Sequence, residues 1–202
     1  MPPNWIKALV DGYFRHPETV GVGGWYEYSD DVLQNSSYAT YTTYEFKTRF
    51  PINQEIKTSH FITPVGNTSN MSYRKSALDA ARGFDEEMCL PGFDDWELKI
   101  RIIDLGKPLL YLPIFVMHYH PLSTVDIAKR IFNFGRGRYK FLQKHPDLWR
   151  WYYPYFGRLM DYIIPQIPIN RLDLRSMAIV QFALTRLGWE YQKIREHLTT
   201  DT

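Results

Sequence analysis

Residues 92–121 read GFDDWELKIRIIDLGKPLLYLPIFVMHYHP, and this stretch decides the fold class. Asp94 and Asp95 open a segment whose Trp96, Ile100, Ile103 and Leu105 fall at helical spacing, which predicts that these four face a core. Gly106 supplies the left-handed stop that ends many helices. Two short apolar strands are expected next within KPLLYLPIFVMHYHP (107–121), separated at Pro113 and ended by Pro121. A helix that feeds directly into strands is the rhythm of an α/β protein.

The same rhythm extends upstream. Asn4 is placed to cap a helix carrying Trp5, Ile6, Leu9, Val10 and Tyr13 on one stripe, with Pro17 as its limit. The sequence TVGVGG at 19–24 reads as a short buried strand, where the Gly23-Gly24 pair allows a tight turn or a close approach. The Tyr/Thr-rich run from Ser36 to Phe50 has mixed propensity and is read as helix, ended by Pro51. Residues 60–73 read as extended and lead into a helix that stops near Gly83. Residues 84–92 read as loop.

Downstream of Ser123 the pattern becomes a basic amphipathic helix. Ile127, Ile131, Phe134, Phe141 and Leu142 share one side, and Lys129, Arg130, Arg136, Arg138, Lys140 and Lys144 occupy the others. Trp149, Trp151, Tyr152, Tyr153, Tyr155 and Phe156 then crowd into eight residues flanked by arginines. Such an aromatic belt suits a lipid interface. A last helix is expected over roughly 172–198. The chain therefore divides into an α/β part, 1–122, and a basic, aromatic helical part, 123–202.

Composition sets the outer bounds. The 202 residues are 45% hydrophobic and 23% charged, a globular balance. The single cysteine, Cys89, excludes an internal disulfide framework and a four-cysteine zinc site. The net charge of +2 conceals a polarity: residues 1–120 carry 11 Lys+Arg against 15 Asp+Glu, and residues 121–202 carry 13 against 7. An acidic front is a poor nucleic-acid platform, whereas the basic rear fits a surface bearing phosphate such as anionic lipid. The N-terminal residues lack the pattern of a signal peptide, and no apolar run reaches the length of a spanning helix. The expected location is cytoplasmic, peripheral at the inner face of a membrane. The sequons at Asn35, Asn67 and Asn70 have no bearing on such a chain.

Three groups of residues carry candidate chemistry. Asp94 and Asp95 at a helix start fit plain capping, but a carboxylate so placed also suits a general base or a cation ligand. His118 and His120 alternate onto one face of a strand, where two imidazoles can share a metal with Asp94 or Asp95 as a third ligand. One surface and one core histidine satisfy the same pattern. Gly135 and Gly137 in FGRGRYKF lie inside a helical pattern, which excludes a phosphate-binding glycine loop.

In order, NTSNMSYRKSALDAARGFDEEM (67–88), GFDDWELKIRIIDLGKPLLYLP (92–113) and VMHYHP (116–121) resemble the second half of family 2 glycosyltransferases of the GT-A fold. PPNWIKALVDGYFRHPETVGVGG (2–24) resembles the segment after that family's Asp-x-Asp motif, so the likeness spans about residues 1–145. It implies a partial GT-A mixed sheet with flanking helices, followed by a C-terminal amphipathic helical module. The implied reaction is transfer of a sugar from a nucleotide-sugar donor to a hydroxyl acceptor, such as a cell-surface glycan or a lipid-linked precursor. By resemblance, Asp95 is the catalytic base, with Asp94 where the family usually has Glu. Gly23, Gly24, Asn70, Arg74 and Trp96 are walls of the donor and acceptor pocket. His118, with His120 as second choice, is a ligand of Mn²⁺ or Mg²⁺. The family's nucleotide-binding strands and Asp-x-Asp are not among these residues, so the resemblance implies a truncated product, a split subunit with an N-terminal partner half, or a sequence begun at an internal methionine, with no activity expected without the missing half. Two other readings stand beside this one: a non-catalytic, membrane-associated scaffold, and a small metallohydrolase built on Asp95, His118 and His120.

Overall fold

The computed structural model describes residues 2–88, 90, 93–119, 123–149, 157 and 159–200. The chain is mixed α/β and forms two compact units. The first comprises Met1–Gln34, Thr42–Asp85 and Asp95–His120; the second comprises Asn35–Tyr41, Glu86–Asp94 and Pro121–Thr202. The longest stretch of the second unit runs from residue 121 onward. The second unit also recruits two earlier segments that composition does not mark.

In the first unit, four strands form one sheet: β1 (Gly21–Tyr28), β2 (Ile56–Thr58), β3 (Met71–Tyr73) and β4 (Leu109–His118), in the order β2-β4-β1-β3. β1 and β4 run parallel, and β2 and β3 flank them antiparallel. The two strands expected around Pro113 are one continuous β4. Its pairing with β1 shifts register between Gly23 and Trp25, and β2 pairs only with residues 109–111. The exposed Pro113 thus sits past β2 and within the irregular stretch, where its missing amide costs no ladder bond.

Helix α1 (Trp5–Arg15) covers one face of the sheet, with Leu9 against Val22, Leu110 and Leu112. Its Gly12 is required, because a Cβ there would lie 2.8 Å from Val22 Cγ1. Asn4 does not cap this helix through its side chain, contrary to expectation; its main-chain carbonyl accepts from Ala8 N–H instead. Helix α3 (Ser37–Arg49) is the helix expected over 36–50, and a short helix that was not expected, α2 (Asp30–Asn35), precedes it. The region expected to be extended from 60 to 73 is irregular until a 3₁₀ turn, Thr68–Asn70, and β3.

Helices α4 (Lys75–Ala80) and α5 (Asp94–Asp104) frame the other core, in which Leu98, Ile102, Leu109 and Tyr111 are fully buried. The buried residues of α5 are Asp95, Glu97, Leu98, Lys99 and Ile102; of the four expected to face a core, Ile103 packs against this one, Trp96 and Ile100 are half-buried, and Leu105 is exposed. Arg101 grips Glu97 with three contacts of 2.6–3.0 Å and donates to the carbonyls of Ala81 and Gly83. That clasp holds the left-handed turn at Arg82 (φ 62°) and Gly83 (φ 69°) which ends α4.

In the second unit, α6 (Thr124–Lys144) starts at Ser123, whose hydroxyl accepts from Asp126 N–H at 3.1 Å. The last helix, α7 (Leu172–Thr200), packs along α6. Phe93, fully buried, adds a ring 4.6 Å from Phe134 and 5.0 Å from Phe141.

Candidate functional site

Asp95 lies in the first turn of α5, 8% exposed. Its Oδ2 accepts the main-chain N–H of Thr68 at 3.3 Å. A carboxylate at a helix head is favoured in its charged form by the amides that converge on it.

Two further groups, neither singled out by the sequence reading, belong to the same cluster. The Tyr73 phenol is held well above its ordinary range, first by burial and then by the Asp95 charge. Lys99, one turn along α5 and 4% exposed, is brought down to about 8 by burial, against the opposing pull of Asp95. Its Nζ donates to Val65 O at 3.4 Å and lies 4.9 Å from the Phe61 ring centre and 5.1 Å from that of Trp96. The loop folds tightly on this side chain. Gly66 has φ 106°, and a Cβ there would strike the Lys99 stem. A lysine at i+4 from an aspartate is visible in sequence, but its burial depends on the distant 61–66 segment.

The remaining expected site residues are placed as follows. Trp96 meets Phe61 edge-on at 5.4 Å and is half-buried. Asp94, half-buried, is the first residue of α5. Asn70 is fully buried and its side chain is engaged within the protein: Oδ1 accepts from Trp5 Nε1 at 2.7 Å, and Nδ2 donates to Trp25 O and Ile114 O, each at 2.9 Å. Arg74 donates to Thr19 O at 2.8 Å and Pro17 O at 3.1 Å, and covers the Tyr13 ring at 4.8 Å. Gly23 and Gly24 are the strand's point of closest approach. A Cβ on Gly23 would sit 2.5 Å from Asn70 O, and one on Gly24 would collide with Ile114 O. Asn70, Arg74 and the two glycines thus lock the sheet together.

His118 ends β4 opposite Tyr28. Its ring stacks on Tyr26 at 4.4 Å and 10°, and meets Tyr28 edge-on at 5.9 Å. His120 lies outside the described residues. Among the described residues no three His, Cys, Asp or Glu side chains come together as a metal site. The aromatic run 149–156 is described only at Trp149, which packs edge-on against Trp189 at 5.3 Å. Among the described residues no helix is long and apolar enough to cross a membrane. No family model, curated protein or solved structure matches the chain.

Proposed function

We propose that this chain is the C-terminal half of a GT-A glycosyltransferase of family 2, acting in transfer of a sugar from a nucleotide-sugar to a hydroxyl acceptor. The observation that carries the reading is Asp95: a nearly buried carboxylate, held by a main-chain amide at the head of α5, at the position the resemblance gives to the base. It removes the proton from the acceptor hydroxyl as that oxygen attacks the anomeric carbon and the nucleoside diphosphate departs. Trp96, next to it on α5, and Phe61, packed edge-on against Trp96, are rings of the kind that pack on sugars. Nucleoside binding is assigned to strands other than these.

The test supplies an upstream half bearing Asp-x-Asp and follows transfer from a panel of nucleotide-sugars with Mn²⁺. Asp95→Asn should lower turnover by about 10²–10⁴-fold, the range for loss of a general base, with the circular dichroism unchanged. Transfer that is indifferent to Asp95→Asn overturns the catalytic reading and returns the chain to a non-catalytic scaffold.

A further inference from the structure

Helix α7 buries one side against its own unit through Leu174, Ala178, Thr185, Trp189 and Gln192. The opposite side is apolar and exposed from end to end. Leu172, Ile179, Val180, Leu187, Tyr191, Ile194 and Leu198 line it, with Ile179, Leu187 and Ile194 at 50, 59 and 58% exposure. Ser176 and Ala183 fill the small positions between them, also exposed. The row 172, 176, 180, 183, 187, 191, 194, 198 steps by 4, 4, 3 residues, close to the natural period of a straight helix, so the stripe does not wind away. At about 1.5 Å per residue it is roughly 39 Å long.

Cations border this stripe on both sides, with the acids Asp173 and Glu190 paired to Arg171 and Arg186. Tyr191, at one margin, touches α6: its ring lies 5.5 Å from Phe132 and 5.4 Å from the Arg136 guanidinium. Phe132 and Arg136 share a helical row with Val125 and Lys129, both exposed, so that row lies along the same margin. Along the other margin run Arg186, paired with Glu190, and the exposed Lys193. An apolar strip between two cationic borders suits an interface helix whose basic side chains reach up to phosphate.

We infer that the exposed face of α7, with the Val125–Arg136 row of α6, docks flat on an anionic lipid surface. A second copy is the poorer occupant. Antiparallel pairing of two stripes brings each basic margin against its own image, and the period is not the 3.5 residues of a coiled-coil seam. Anionic headgroups complement both margins at once. The inference is independent of sugar transfer and places membrane contact on α7 rather than on residues 149–156.

The experiment is flotation of the full chain with vesicles of phosphatidylcholine alone and with 30% phosphatidylserine. Binding is expected only to the anionic vesicles and should fall as salt rises. Ile179→Ser/Leu187→Ser/Ile194→Ser should weaken it at least ~100-fold, from the apolar area lost. Lys129→Gln and Lys193→Gln should each weaken it about five-fold. All five positions are solvent-facing, and circular dichroism checks that the fold is kept. Absence of binding to anionic vesicles, binding that survives the triple substitution, or a concentration-dependent dimer that the triple substitution dissociates would each overturn the inference.

Discussion

Lys99 is the residue on which burial and charge disagree most. Moving an ammonium out of water is costly, and the Asp95 charge returns only part of that cost, so the amine is left at about 8 rather than its ordinary 10.5. Below pH 8 the amine is charged in the folded and the unfolded chain alike, and folding bears the full penalty. Between about 8 and 10.5 the folded chain has released the proton while the unfolded chain keeps it, so stability rises with pH across that interval. Lys99→Met, which keeps the stem and removes the charge, is therefore expected to raise stability at pH 7 by ~1–3 kcal/mol, since the lowered pKa already includes the Asp95 attraction. Urea unfolding measured from pH 7 to 10.5 should show the gap between variant and wild type closing. A gap independent of pH would show that Lys99 is not buried as an ammonium. This residue also shows where the sequence stops being readable. Transfer cost alone argues against turning Asp95 and Lys99 inward. They are inward because Thr68, Val65 and Phe61, some 30 residues earlier, supply an amide, a carbonyl and a ring.

Where an element's signals are local, the sequence is legible. Gly106, with φ 74°, ends α5 as expected, and Ser123 with Asp126 starts α6. The strand expected at 19–24 and the apolar run after Gly106 are both found, although β1 spans Gly21–Tyr28 and Pro113 does not break β4. Asp95 is legible as a helix-head carboxylate, whereas Tyr73 and Asn70 acquire their roles only through tertiary contacts. The packing of α6 on α7 rests on two glycines that sequence reading sees only as exceptions within helices. A Cβ on Gly135 would run into Thr185 O, and one on Gly188 into Phe132 O. Each helix lays a side-chain-free position against a carbonyl of the other, and neither carbonyl can swing aside. Gly135→Ala and Gly188→Ala should each cost about 1–3 kcal/mol by forcing the helices apart. The two costs should fall short of additive in a double-mutant cycle, because the first substitution opens the space needed by the second. Equal, additive and small effects would mean that the helices do not approach so closely.

Across the whole molecule, compact units and continuous sequence do not coincide. Residues 86–94 belong to the second unit, and Phe93 fills its core between Phe134 and Phe141. Residues 121–202 expressed by themselves should therefore lack part of their core. Phe93→Ala in the full chain should cost about 3–5 kcal/mol, the usual range for emptying a buried phenylalanine site, and calorimetry of the variant would show it. A shift within error would mean that the isolated segment is self-sufficient. The strand order β2-β4-β1-β3 has a consequence for synthesis on the ribosome. The pairing of β1 with β3 is available once Tyr73 has emerged, but β2 has no neighbour until β4 slides in between it and β1. The nascent chain thus carries a sheet with its middle rung missing until His118 has cleared the exit tunnel. During that interval two unsatisfied strand borders await a single late arrival.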